Sequence, residues 1–273
     1  MATRTASATP ESTLRSVAAW PVRRIGRDWS IRIGMFGLVM TTWTILGQLM
    51  PTVTFSGPVR MVEAMIRLIN SGALADAWAE TLNIMVIALI LAAISGVVLG
   101  ILFGRFRRID QFLEPIITAL FMTPKVALLP LIALWLGFQD PAKILVVFLF
   151  SFFEIFFTTR NGVRTIDAEY VEVARAYMIP ERVMLRQVVL PATVPYVITG
   201  LRLGLLHGMV GVVLAGFFLE NNGIGGLIFD MGGSFRVPEL FAALLTVGLV
   251  GLAISVSIRW VERRAAPWKP VEA

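Results

Sequence analysis

Long apolar runs alternate with short arginine-rich connectors along this chain. A helix that crosses the hydrocarbon core of a bilayer needs about 20 mostly apolar residues. The runs predict spans over 31–50, 82–103, 115–136, 144–157, 191–219 and 240–260. The fourth is short. The fifth is long, with Pro195 in its first turn and glycines after it as places to bend. The pattern therefore predicts an all-α membrane protein of about six transmembrane helices. A tail over 1–30 precedes a membrane domain over 31–260, and a second tail covers 261–273. The first 30 residues have no apolar core and no evident cleavage site, so they read as a solvated tail; the other reading is an organelle transit peptide.

Smaller patterns sit between the spans. Met61, Val62, Met65, Ile66 and Ile69 follow Gly57-Pro58 at helical spacing, which predicts a short helix on the outer membrane surface. The stretch from Glu220 to Pro238 is too apolar for a plain loop and too short to span, and suits a re-entrant or outer-gate segment. Gly96, Gly100 and Gly104 recur every four residues, as do Gly200, Gly204 and Gly208. Each set leaves a groove along one helix face where another backbone can approach. The groove serves ordinary packing or a surface that slides.

Charge sets the orientation. Lysine and arginine divide 18 to 4 between alternate connectors, with Lys125 and Arg202 inside spans. The rich side holds both tails, so both termini are expected in the cytoplasm. The net charge of +6 does not point to nucleic acid, because the charges flank apolar runs and form no basic face. With 57% hydrophobic and 15% charged residues, a soluble protein would expose large apolar patches. The chain has no cysteine and one histidine, which excludes disulfides, thiolate chemistry and a multi-histidine metal site.

The connector over 160–190 is the most informative. Asp167 can cap a helix from Ala168 to about Met178, and Pro180 can open a second one that leads into the fifth span. The expected product is a compact helical hairpin able to fill a groove on a partner and to transmit force. A surface hairpin with no partner is the other reading.

Here the chain resembles a known family. Glu172-Val173-Ala174, Met178 at a glycine place, and Val188-Val189-Leu190-Pro191 match the spacing of a loop found in inner-membrane permease subunits of binding-protein-dependent ABC importers. Val173, Met178 and Val188 depart from that pattern. Pro124, Ala127 to Leu131, Leu134-Trp135-Leu136-Gly137, Gly200 to Leu203 and Gly223-Ile224-Gly225 are similar to the sulfonate, taurine and nitrate branch. The resemblance implies a type I-like permease with a cytoplasmic coupling helix. It also implies a pair of permease copies, two cytoplasmic ATPase subunits, an external solute-binding protein and a bacterial inner membrane. Coupling to the ATPase would fall to Glu172, Ala174, Arg175, Met178, Pro180, Leu190 and Pro191. None of the three lysines stands in the Gly-Lys-Ser/Thr setting of a phosphate-binding loop, so ATP and Mg²⁺ are expected on partner subunits and no cofactor in this chain.

Ionisable groups inside spans cost roughly 2.5–3.5 kcal/mol each and so invite a functional reading. Glu154, His207, Arg202 and Glu220 are the translocation-path candidates. Glu154 stands where the family often has proline. Glu220 follows by one turn the place where the family has an acidic residue after an alanine; here that place reads Ala215-Gly216. Lys125 and Arg202 also suit snorkelling to the cytoplasmic interface, and Glu154 an ion pair within the bundle. The expected function is passage of a small anion by alternating access, with no bond made or broken in this chain. The alternative is a proton-coupled secondary transporter using Glu154 and His207; a membrane scaffold would leave the loop spacing unexplained.

Overall fold

The computed structural model describes residues 22–165, 176–219 and 222–265. Helix is the only regular structure among the described residues. Among the described residues, five helices are long and apolar enough to cross a membrane, and a bent pair makes a sixth if it counts as one broken span.

The long helix α1 runs over Val22–Leu49 and from Trp29 onward is exposed on nearly every side. The short helix α2, Pro58–Asn70, follows Gly57 with proline at its first turn, as the apolar stripe predicted. It buries Met61, Ala64 and Leu68 and exposes Val59, Val62, Ile66 and Ile69. Next come α3 (Ala73–Arg105), α4 (Arg107–Met122), α5 (Leu129–Leu136) and α6 (Asp140–Arg164). Helical turns over Glu181–Met184 and Leu185–Val189 lead without a gap into α7, Leu190–Phe218. The chain closes with α8 (Gly223–Gly233) and α9 (Val237–Ala265).

The centre of the bundle is α6, packed between α3 and α7. Both glycine stripes face it. A Cβ on Gly100 would lie 2.8 Å from Thr159 Cβ and 2.9 Å from the Phe156 carbonyl oxygen. One on Gly204 would lie 2.6 Å from Ile155 Cγ1 and 3.0 Å from the Ser151 carbonyl oxygen. Two separate grooves thus receive adjoining faces of one rod, which share Ile155: a Cβ on Gly96 would lie 2.9 Å from Ile155 Cγ2. Lipid tails offer no hydrophobic drive for helix association, so this close approach supplies the packing.

Two spans differ from the sequence reading. The third is not one rod: α4 and the segment over Lys125–Leu136 meet at 83°. Thr123 takes an extended conformation (ψ 128°), as a residue before proline prefers, and Pro124 has no N–H to continue the helix. The fourth is longer than 144–157, because α6 runs from Asp140 to Arg164. Its charged residues shortened the apparent apolar run, yet they are paired within the fold. Lys143 meets Glu80 at 3.1 Å, and Arg160 meets Asp110 and Glu114.

The segment expected to be re-entrant or an outer gate is helical over Gly223–Gly233, as α8. A Cβ on Gly216 would lie 2.7 Å from Gly225 Cα, so α8 lies directly on the end of α7. Its first turn is capped from another helix: Ile224 N–H donates to Thr81 Oγ1 of α3 at 2.8 Å. Asn222 gives no side-chain cap.

Candidate functional site

Three groups of residues stand out, one at each end of the bundle and one at membrane depth. At the arginine-rich end, Asp110 in the first turn of α4 is 1% exposed and ion-paired to both Arg160 and Arg164 at the end of α6. Arg160 Nη2 donates to Asp110 Oδ2 at 2.8 Å and also reaches Glu114 at 2.9 Å. Two cations meet two carboxylates, so the buried charge is balanced. Beside this cluster lies a cleft of about 540 Å³, lined by Arg105, Glu114, Arg164, Met184 and Val189 among others. The cleft joins α3, α4 and α6 to the helical turns that enter α7.

That entry is the predicted coupling connector. Glu172, Ala174 and Arg175 lie outside the described residues, as does most of the helix expected over Ala168 to Met178. Met178 is described: it is 90% exposed and holds φ at +53°. This is the left-handed conformation that favours glycine, at the position where the family pattern has glycine. The turn survives without the residue that makes it easy. Pro180 then opens the next helix, its carbonyl oxygen accepting from Val183 N–H at 2.9 Å and Met184 N–H at 3.1 Å. A π turn over Leu185–Val189 precedes Leu190 and Pro191, which begin α7. Such turns recur at functional sites.

At the opposite end, Arg67 of α2 meets Glu239 of α9 at 3.2 Å, and Arg236 adds a second cation at 3.5 Å. Lys143 and Glu80 tie α6 to α3 at the same end. The two sets of basic residues that the connectors separated therefore lie at opposite ends of the fold.

At membrane depth, Glu154 and His207 come together. His207 Nε2 lies 3.7 Å from Glu154 Oε1. His207 Nδ1 lies 3.0 Å from the Leu203 carbonyl oxygen, which can only accept, so Nδ1 carries the hydrogen and Nε2 faces the carboxylate. The histidine side chain is 49% exposed and that of Glu154 20%. Lys125, at the break in the third span, lies over the rings of Phe121, Phe150 and Phe153 at 4.8, 5.7 and 5.4 Å. It is near enough to Glu154 for their charges to attract. The sequence left Lys125 either a role at membrane depth or a place at the cytoplasmic interface; the structure turns it toward α6. Arg202 stands apart from this group, half-buried and donating to Ser255 Oγ of α9 at 3.4 Å. Glu220 lies outside the described residues.

Asp110 and Glu114 were missed by sequence reasoning, since nothing near them in the chain marks a partner fifty residues away. Lys125 carried a signal, a lysine after proline inside an apolar run, but no direction.

The apolar helices and the basic connector that runs into α7 define a polytopic helical membrane protein. The comparisons say which kind. Residues 96–268 match the family described as binding-protein-dependent transport system inner membrane component, and the chain belongs to it. A Bacillus subtilis (strain 168) permease named for aliphatic sulfonate transport is 29% identical over 266 residues, covering 97% of this chain and 96% of that one. The taurine transport system permease protein of Escherichia coli (strain K12) is 25% identical, covering 91% and 92%. The nitrate import permease protein of Leptolyngbya laminosa is 33% identical, covering 69% and 68%. Among solved structures, the inward-facing MetNI methionine ABC transporter matches with a TM-score of 0.61 at 16% identity, over 68% of this chain and 93% of that one. The fold is that of a type I ABC importer permease, and the chain is a transport subunit of the inner-membrane class.

Proposed function

We propose that this chain forms the translocation path of an ATP-driven importer for a small anion, such as a sulfonate, taurine or nitrate. The observation that carries the reading is the exposed Met178 turn leading, with no break in helix, into α7 and so to His207. The family supplies the kind of partner: cytoplasmic ATPase subunits on that turn and an external solute-binding protein at the other end. Two copies of the chain would enclose the path. Binding of ATP by the partners would draw the two connectors together and rock α7 against α6, alternately opening each end. The chain makes and breaks no bond. Both termini would lie in the cytoplasm, on the arginine-rich side.

The exposure of His207 supports the path. A half-exposed imidazole and a carboxylate at membrane depth are costly against lipid. A face that carries them belongs against water or against another protein. Their proximity is also what a proton-coupled secondary transporter would use, but that reading gives the connector and the family match no role.

The test is uptake into proteoliposomes holding the permease, its ATPase and its binding protein, with taurine, an alkanesulfonate and nitrate as probes. Replacing residues 168–185 by a neutral linker is expected to abolish ATP-driven uptake while the bundle still folds. Unchanged uptake would overturn the coupling assignment.

A further inference from the structure

We propose that Lys125 is the cation that receives the anionic group of the solute within the membrane, with Glu154 as its counter-ion when no solute is present. This rests on the transport-path reading above and gives it a contact residue.

The argument begins with depth. Phe150 and Phe153 stand 14 and 11 residues before Arg164, the arginine-rich end of α6. At 1.5 Å per residue that is about 16–21 Å from the end of the helix, well beyond the reach of a snorkelling lysine. The ammonium is held where it is by three aromatic faces from two elements, Phe121 on α4 and Phe150 and Phe153 on α6. An aromatic face attracts a cation through its quadrupole but offers the ammonium's three N–H donors no oxygen or nitrogen acceptor. Among the described residues, no hydrogen bond or ion pair within 4 Å reaches Lys125 Nζ. The donors are therefore available to an oxygen that arrives with the solute.

The break at Thr123-Pro124 is what brings the lysine there. A continuous third span would carry position 125 along its own axis; the 83° bend sets it against α6 instead. Glu154 follows Phe153 on the same helix and attracts Lys125 without touching it. A charge at this depth needs an opposite one nearby. The carboxylate provides it at a distance, which leaves the contact position for a monovalent anion. The phenyl rings would line the apolar part of the same solute, a combination that fits an alkanesulfonate.

The chain has no cysteine, so a single introduced thiol reports on this place alone. The probe is His207→Cys in membrane vesicles holding the full complex. Its rate of modification is compared for two thiosulfonate reagents of similar size, one ending in a sulfonate and one in a trimethylammonium. With Lys125 present the anionic reagent is expected to be favoured. Lys125→Gln is expected to lower the anionic-to-cationic rate ratio about five-fold or more, through the loss of one unscreened charge. Lys125→Arg should restore the ratio, and Glu154→Gln should raise it. A ratio unchanged by Lys125→Gln would overturn the assignment and leave the path reading intact. A thiol at 207 that neither reagent modifies would overturn the path reading itself, and this inference with it.

Discussion

At the scale of single residues, Met178 shows how a turn outlives its usual residue. Left-handed backbone costs a residue with a Cβ about 1–2 kcal/mol, and a φ of +53° places Met178 in that region with its side chain in solvent. Met178→Gly is therefore expected to leave the thermal midpoint of the purified permease unchanged or to raise it slightly. Met178→Ile, β-branched and harder to hold at positive φ, should lower stability by about 1–2 kcal/mol. Equal midpoints for the glycine and isoleucine variants would show that the turn does not require this conformation. The sequence pointed to this position through the spacing from Glu172 to Pro191. It could not tell whether the turn would move to Pro180 once glycine was lost, because that choice depends on how the next helix starts.

At the scale of elements, the fold depends on helices approaching closely along glycine stripes and on charges paired where the helices end. A valine at Gly100 would put methyl groups where Thr159 and the Phe156 carbonyl already lie. Gly100→Val is expected to cost more than about 2 kcal/mol, as overpacking in a tight seam does. The same change at Gly248, whose Cβ position is open, should cost little. Midpoints that fell equally for both would argue against the seam. Asp110→Asn leaves Arg160 buried with half its counter-charge, and a loss of about 3–5 kcal/mol is expected from breaking a buried pair on one side. Chemical denaturation in detergent would measure it; a loss below 1 kcal/mol would mean that Glu114 alone neutralises the arginines.

The stripes themselves were legible in the sequence, since spacing of four is a local property. That α6 receives both of them was not, because pairing between helices is settled by the whole bundle. The fourth span looked short for a related reason: Lys143 and Arg160 lower its hydropathy, and their partners Glu80 and Asp110 lie 63 and 50 residues away. The third span looked straight because apolar content outweighed Thr123-Pro124, the local signal that breaks it.

At the scale of the whole molecule, the structure has an arginine-rich end, an opposite end where Arg67, Lys143 and Arg236 pair with carboxylates, and a polar face between them. The arginine-rich end holds the ion-paired cluster, the cleft and the Met178 turn. The other end holds Arg67, Glu239 and the helix α8 that lies on α7. One helix, α7, links the turn to the face that carries His207. Under the proposed coupling, a motion imposed on the turn would reach membrane depth along this helix, past the π turn over Leu185–Val189 and past Pro195 inside α7. The central claim is that this turn lies in the cytoplasm and is seated on an ATPase.

The most direct measurement uses a lone cysteine at position 178 and a membrane-impermeant thiol reagent. In inside-out vesicles stripped of the ATPase, the account predicts rapid labelling, and strong protection when the ATPase is added back. Right-side-out vesicles should give none. Labelling from the outer side, or labelling from the inner side that the ATPase does not slow, would contradict it.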